Sequence, residues 1–149
     1  MKNLFLLRHA HSENSILNDF DRPISEEGID KCKLVGRILS AYQIDKIYSS
    51  DALRTKETVE EILPFLQQKP HIEYIHNLYN CSSEKLEFFL EGSEQENILL
   101  VNHNPAISQL GISLAKDSIH SSFYHEMING FSPASLALFQ SKKLISFWR

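Results

Sequence analysis

Two short, uninterrupted apolar runs constrain the fold of this chain more than any other feature of its sequence. They occupy residues 3–7 (NLFLL) and 97–101 (NILLV). A run of this length without alternating polar residues is typical of a strand that is covered on both faces. Such strands occur mainly in parallel sheets, where helices cover both sides. The two runs therefore predict an α/β protein with a buried central sheet.

Helical patterns separate the extended segments. In residues 24–42 the apolar residues recur at helical spacing, with Ser25 as the expected N-cap and Cys32 on the apolar face, where we expect it to be buried. Three further helices are predicted, at residues 53–63, 82–92 and 105–116. Pro64 should end or kink the first of these. Asn104 and Pro105 are expected as N-cap and first residue of the last.

Four more segments are predicted as strands, at residues 46–50, 71–78, 135–140 and 144–148. The last two should form a closing pair around the residues SKK. Strands that alternate with helices indicate a mainly parallel sheet. We therefore predict one domain over residues 1–149, with three layers: a mainly parallel central sheet and helices on both faces.

Composition excludes several classes of function. The 149 residues carry 15 basic and 19 acidic side chains, a formal charge of −4, so nucleic acid and anionic membrane surfaces are not expected partners. The two cysteines, Cys32 and Cys81, are far apart and in no metal-binding or redox spacing. Neither a membrane span nor a signal peptide is evident, and we expect a cytoplasmic protein.

Charged side chains follow the predicted strands at three places. Arg8 and His9 come directly after the first apolar run, His103 follows the run at 97–101, and Arg54 begins the helix after residues 46–50. Ligands of open α/β sheets bind beyond the carboxyl ends of the strands, so these residues should face one site. We expect His9 to face solvent there, in a loop.

Taken singly, each of these residues is more simply a solvated, capping or surface residue. The other histidines have no patterned context and are expected to have no role in the site: His11, His71, His76, His120 and His125. The combination favours a different interpretation. Two arginine forks match the oxygens of a phosphoryl group, and a histidine between them can act as a nucleophile.

Four segments of the chain resemble the histidine phosphatase superfamily, also called phosphoglycerate-mutase-like. Ala replaces the usual Gly of its first motif, which implies a tighter loop without loss of a reacting group. The segment DRPISEEG is similar to a motif of the short branch that includes a bacterial phosphohistidine phosphatase, and all four segments lie in the family's order. They are Arg8-His9-Ala10, then Asp21, Arg22, Pro23 and Gly28 in DRPISEEG, then Ser50, Arg54 and Thr58 in SSDALRTKET, and His103 in LLVNHNP.

The resemblance implies a mechanism. His9 would attack phosphorus and become an N-phosphohistidine, while its other ring nitrogen donates to a backbone carbonyl. Arg8, Arg54 and His103 would surround the phosphoryl oxygens, with Asn104 as a further phosphate ligand. No metal or cofactor is implied.

The glutamate that many family members use as general acid is not evident. Tyr79, Asn80 and Cys81 stand near its expected position, and Glu84 is more simply a solvated residue of a first helical turn. Asp21 or Asp51 could be brought near the pocket by the fold. Because imidazole leaves as a weaker base than an alkoxide, a missing acid favours phosphoramidates or activated esters.

The leading hypothesis is a phosphatase that acts on phosphohistidine in other proteins. Only about forty residues separate Arg54 from the strand before His103, which predicts a shallow, open pocket suited to a protein substrate. Two alternatives remain open: a small-molecule phosphomonoesterase with the same mechanism, and a phosphate-binding module with low turnover.

Overall fold

The apolar runs form the two central strands of a sheet. The computed structural model describes residues 1–14 and 18–149, and six strands of these ranges pair in the order β3-β2-β4-β1-β5-β6. Strands β1 to β4 are mutually parallel, whereas β5 runs antiparallel to both β1 and β6. The strands are β1 (Asn3–Arg8), β2 (Lys46–Ser50), β3 (His71–Ile75), β4 (Asn97–Asn102), β5 (Leu136–Gln140) and β6 (Lys143–Trp148).

Helices cover both faces of the sheet. The longer ones are α1 (Glu26–Leu39), α2 (Leu53–Ile62), α3 (Ser83–Glu91), α4 (Ala106–Leu114) and α5 (Ser122–Met127). Single 3₁₀ turns lie at Asp19–Asp21, Leu63–Phe65, His76–Leu78 and Lys116–Ser118. No helix in the described ranges is both long and apolar enough to cross a membrane.

The side chains of β1 point alternately to the two faces of the sheet, and each face has its own core cluster. Phe5 and Leu7 pack with α1 and α2, whereas Leu4 and Leu6 pack with α3, α4 and α5. Successive side chains of a strand point to opposite faces, so an unbroken apolar run supplies both clusters. The predicted three-layer α/β fold with a mainly parallel sheet is confirmed. Cys32 is fully buried among the residues packed under α1, as expected.

Several element boundaries differ from the prediction, two of them near the carboxyl ends of the strands. The strand expected over residues 71–78 ends at Ile75 and continues as a 3₁₀ turn. Helix α4 starts at Ala106 with Pro105 as its N-cap, one residue later than expected. Boundaries shift in this way because the hydrophobic period does not mark the last hydrogen bond of an element.

Strands β2, β4 and β1 are neighbours in the sheet and parallel. Their carboxyl ends therefore meet at one edge. The segments that follow them carry Arg54, His103 and His9, and these three side chains converge.

Candidate active site

His9 lies immediately beyond β1 with its backbone held on two sides. Its N–H donates to the carbonyl of Asn102 over 3.0 Å, and its own carbonyl accepts from the N–H of Ala134, also over 3.0 Å. The residue is only 7% exposed. The expectation that it faces solvent is wrong, because the rings and guanidinium groups brought in from the neighbouring strand ends cover it.

The tautomer of His9 is set by one carbonyl. Its Nδ1 lies 2.8 Å from the oxygen of Ala10, which can only accept a hydrogen bond, so Nδ1 carries the proton. Nε2 therefore keeps its lone pair, and it accepts from Nε of Arg54 over 3.3 Å. Burial, and then the charges of His103, Arg54 and Arg8, lower the pKa of His9 to about 3, although the Ala10 contact opposes this. His9 is thus a neutral imidazole at neutral pH, with its lone pair on Nε2.

Helix α2 fixes both Arg54 and the loop that follows β1. Thr58 accepts from the N–H of Ala10 over 3.0 Å and donates to the carbonyl of Arg54 over 2.7 Å. Arg54 and Thr58 are four residues apart and so lie on the same face of the helix. One helical turn thereby positions the loop of His9 and the side chain of Arg54 relative to each other.

Arg8, at the end of β1, has a donor without a partner. Its Nη1 donates to the carbonyl of Phe131 over 2.9 Å. Its Nε is buried, and no acceptor for it exists among the described residues. Burial and the nearby Arg54 lower the pKa of Arg8, as expected for a cation next to another cation. An unpaired guanidinium N–H in such a place is suited to a bound anion.

His103 follows β4 and packs its ring 5.1 Å from that of His9, centroid to centroid. Its Nε2 lies 2.5 Å from the hydroxyl of Ser50, at the end of β2. Its Nδ1 is buried and has no partner within the described part of the chain. When Ser50 donates to Nε2, the neutral ring carries its proton on Nδ1, which can then donate to a ligand. Burial, followed by the charge of Arg54, lowers the pKa of His103 to about 4.

The structure therefore brings together Arg8, His9, Arg54 and His103. Two of them hold buried nitrogens without partners, and buried polar groups are nearly always paired in folded proteins. Both nitrogens belong to side chains that lie near His9: the ring of His103 packs against its ring, and the charge of Arg8 acts on its pKa. This arrangement can hold a tetrahedral anion next to a nitrogen nucleophile.

The side chain of Asn104, expected from the sequence to bind phosphate, makes two contacts within the protein. Its Nδ2 donates to the carbonyl of Phe131 over 2.9 Å, and its Oδ1 accepts from Ser108 over 2.5 Å. Both ends of the side chain are thus used to hold the loop at Phe131. Because Arg8 donates to the same carbonyl, Asn104 supports the position of that arginine.

Asp19, which the sequence did not single out, contacts the outer edge of Arg54. The carbonyl of Asp19 accepts from Nη1 over 2.6 Å, and its Oδ2 accepts from Nη2 over 3.0 Å. The hydroxyl of Tyr79 donates to the same Oδ2 over 2.6 Å. Hydrogen bonds from Tyr79 first, and then from Arg54, lower the pKa of Asp19 to about 2. The only signal in the sequence is its position three residues before Arg22, with which it also forms an ion pair over 3.2 Å.

The three carboxylates considered as general acids form no hydrogen bond or ion pair with these four residues. Asp51 pairs with His76, 3.0 Å away, while Asp21 and Glu84 are exposed. Within the described ranges, no three His, Cys, Asp or Glu side chains are grouped as they would be in a metal site.

Known proteins share both the sequence and the fold. Residues 4–82, more than half of the chain, match the histidine phosphatase superfamily (branch 1). Phosphohistidine phosphatase SixA of Escherichia coli is 25% identical over 72% of this chain and 70% of its own length. A structure from Agrobacterium tumefaciens, assigned as phosphohistidine phosphatase SixA, superposes with a TM-score of 0.87 at 26% identity, covering 99% of this chain and 97% of the other.

Two other relatives are much longer than the region they share with this chain. An uncharacterised chloroplastic protein of Arabidopsis thaliana is 31% identical over 73% of this chain but only 51% of its own length. A 2,3-bisphosphoglycerate-dependent phosphoglycerate mutase of Methanococcus vannielii is 36% identical over 40% of this chain and 27% of its own length. The matched region and the four converging side chains lead to one conclusion: the chain belongs to branch 1 of the histidine phosphatase superfamily.

Proposed function

We propose that this protein is a metal-independent phosphatase that works through a phosphoryl group on His9 and prefers phosphohistidine in other proteins. The observation that carries the proposal is the lone pair on Nε2 of His9, which lies close to guanidinium and imidazole groups. Two buried nitrogens of these groups have no partner within the described residues. A site that only bound phosphate would have no need of an unprotonated nitrogen among cationic groups.

In the first step, Nε2 of His9 attacks phosphorus in line with the leaving group. A bond forms between Nε2 and phosphorus as the bond to the leaving atom breaks. Arg8, Arg54 and His103 donate to the equatorial oxygens, where charge accumulates in the transition state. In the second step, water attacks the phosphoryl group on His9, inorganic phosphate leaves, and the lone pair on Nε2 is restored.

The substrate preference rests on the acids found beside these groups in the described part of the chain. There, the carboxylate that contacts Arg54 belongs to Asp19, and its pKa of about 2 keeps it ionised, so it cannot donate a proton. An alkoxide leaving group needs such a proton, whereas an imidazole that is already protonated on its other nitrogen does not. Relatives named SixA phosphohistidine phosphatases support the same preference.

A small-molecule phosphomonoesterase is the second candidate, because the His76–Asp51 pair lies near the aromatic residues beside the site. Phe20 packs against both His76 and Tyr79, at centroid distances of 5.7 and 5.1 Å. A histidine in this place could donate a proton to an alkoxide. Fast turnover of a simple alkyl phosphate, lost on replacement of His76, would favour this candidate.

Replacement of His9 tests the nucleophile. Wild-type protein is incubated with a phosphohistidine-bearing carrier protein, with p-nitrophenyl phosphate and with sugar and nucleotide phosphates, and is then assayed for bound phosphoryl groups. We expect an acid-labile, alkali-stable label on the wild type, fastest turnover of the phosphohistidine, and loss of both label and turnover in His9→Ala.

His120→Ala, at an exposed position, is the matched control and should behave as wild type. Because His9 is buried, the thermal unfolding of His9→Ala is measured as well, with His9→Asn as a second variant that keeps a polar group. A folded variant that retains wild-type turnover would contradict the proposal. Binding of phosphate without any turnover by the wild type would instead indicate a phosphate-binding module.

A further inference from the structure

The carboxylate of Asp19 lies where an anion should be unfavourable. It contacts Arg54, which donates to Nε2 of His9, so only the guanidinium of Arg54 separates it from the expected phosphoryl position. A phosphoryl group carries up to two negative charges and is repelled by a neighbouring carboxylate. The side chain of Asp19 is 51% exposed and so faces the mouth of the site rather than the core.

The two edges of the Arg54 guanidinium have separate partners. Asp19 takes the outer edge, through Nη1 and Nη2, while Nε is directed at Nε2 of His9. The donors of a guanidinium form a rigid, planar fork. A phosphoryl group bonded to Nε2 of His9 would therefore meet the inner edge of the guanidinium. Asp19 would keep its contacts with the outer edge.

Asp19 keeps acceptor capacity after its contacts in the free protein. Its Oδ2 accepts from Arg54 and from Tyr79, and its Oδ1 accepts only from Arg22. A carboxylate offers about four lone-pair positions, so one remains for a further donor. An ionised acceptor at the mouth of the site favours a substrate that presents an N–H or a positive charge next to its phosphoryl group.

Aromatic rings border the same place. Tyr79 packs edge-on against Phe20 at 5.1 Å and against His103 at 5.6 Å, centroid to centroid. Phe20 is half-buried and belongs to the same 3₁₀ turn as Asp19. Aromatic faces bind flat cations by stacking and by cation–π attraction. The carboxylate and the rings together suit an imidazolium better than a sugar or a glycerate.

We infer that Asp19, flanked by Phe20 and Tyr79, forms a subsite for the leaving group of the substrate. Its carboxylate accepts a hydrogen bond from the N–H of an imidazolium, and the subsite therefore selects phosphohistidine over phosphate esters. The inference rests on the proposed function and assigns its specificity to a named residue. The carboxylate of Asp19 stabilises the protonated form of the substrate's imidazole ring. Because that ring already carries its proton, it can leave without a general acid.

The step balances without another reactant. The substrate enters as a phosphohistidine protonated on the ring nitrogen that does not carry phosphorus, and this N–H donates to Asp19. Nε2 of His9 forms its bond to phosphorus while the bond between phosphorus and the substrate nitrogen breaks. The electron pair of that bond stays on the substrate ring, which departs as neutral imidazole with its remaining proton.

Asp19→Asn tests the subsite through a ratio of two substrates. The value of kcat/KM is measured for phosphoimidazole, whose leaving group is an imidazole, and for p-nitrophenyl phosphate, whose leaving group needs no proton. A neighbouring opposite charge shifts a pKa by about one unit or more, so the variant should lose at least about tenfold on phosphoimidazole relative to p-nitrophenyl phosphate. Asp21→Asn removes the same charge from the same 3₁₀ turn at an exposed position and should leave the ratio unchanged.

The ratio is taken within one preparation, so a partly unfolded variant does not disturb it. An equal fall on both substrates would show that Asp19 only orients Arg54, and an equal rise would show that it competes with phosphate for this arginine. Either result overturns the inference and leaves the proposed function intact. A wild type that hydrolyses p-nitrophenyl phosphate but not phosphoimidazole would overturn the proposed substrate preference as well.

Discussion

At the scale of single residues, the chemistry of His9 depends on where two hydrogen bonds point. The carbonyl of Ala10 holds the proton on Nδ1, and Arg54 donates to Nε2. A donor directed at the lone pair keeps it oriented towards the site until a phosphoryl group replaces that contact. Under the proposed mechanism Arg54 would therefore have two tasks: to orient His9 in the free protein and to bind a phosphoryl oxygen during the reaction.

Replacing Arg54 by Lys separates charge from geometry. A lysine keeps the positive charge but cannot contact His9 and Asp19 at once, since it lacks the planar fork. We expect Arg54→Lys to lower kcat by about 10²-fold or more, as for the loss of one preorganised transition-state donor. Steady-state kinetics with p-nitrophenyl phosphate measures this effect.

Arg37→Lys, at an exposed position of α1, is the control for the substitution itself. It should have wild-type kinetics. Near-normal activity of Arg54→Lys would mean that the charge alone suffices and that the contact to Nε2 has no role in catalysis.

At the scale of elements, the first turn of α1 packs directly against the loop that carries His9. A Cβ atom at Gly28 would lie 2.4 Å from the carbonyl oxygen of His11 and 3.3 Å from the Cβ of Ala10. The N–H of Ser25 donates to that carbonyl over 2.8 Å, and the hydroxyl of Ser25 caps the helix at Gly28. The first turn of α1 therefore packs against the loop, and no side chain fits between the helix and the loop at Gly28.

Gly28→Ala tests this support. Alanine gains about 1 kcal/mol in helix propensity over glycine, but overpacking against backbone costs about 1–3 kcal/mol. Because a backbone carbonyl must move, we expect a net loss in the free energy of unfolding, measured in urea. The displaced loop should also lower kcat.

Gly92→Ala, at the end of α3, is the matched control. Its added Cβ would meet nothing closer than 3.6 Å, so stability and kcat should stay close to those of the wild type. If Gly28→Ala were as stable and as active as Gly92→Ala, the close packing of α1 on the loop would not be needed for the site.

At the scale of the whole molecule, folding buries two imidazoles in their neutral form. The pKa of His9 falls to about 3 and that of His103 to about 4, in both cases mainly through burial. In the unfolded chain each should titrate near its ordinary value of 6.5. Below pH 6.5 the unfolded state therefore binds protons that the folded state does not, and stability falls as the pH falls.

We expect the free energy of unfolding to decline between pH 6.5 and 4.5, with each of the two histidines contributing up to about 1.4 kcal/mol per pH unit. Urea unfolding at pH 7.5, 6.5, 5.5 and 4.5 measures the decline. His9→Asn and His103→Asn should each flatten the curve, because asparagine does not titrate. Curves parallel to that of the wild type would show that these imidazoles are not held neutral in the folded protein.

The sequence by itself determined the layers of the fold and the main candidate residues of the site. Unbroken apolar runs mark strands that are covered on both faces, and the residues directly after such strands lie at the binding edge of the sheet. Arg8, His9 and His103 could be located from this rule alone. Arg54 and Thr58 could be placed on one helix face from their spacing. Hydrophobic period and spacing encode these features because they are local.

Only the tertiary structure decided the burial of His9, the use of Asn104 in holding a loop, and the contact of Asp19 with Arg54. Asp19 lies outside any helical or extended period, 35 residues from its partner along the chain. Whether such a loop covers a site depends on how distant segments pack over the sheet edge. A periodic pattern of apolar residues indicates which face of a helix or strand is buried. It does not indicate which loop lies on which strand end, because that contact joins segments that are distant in sequence and have no common apolar pattern.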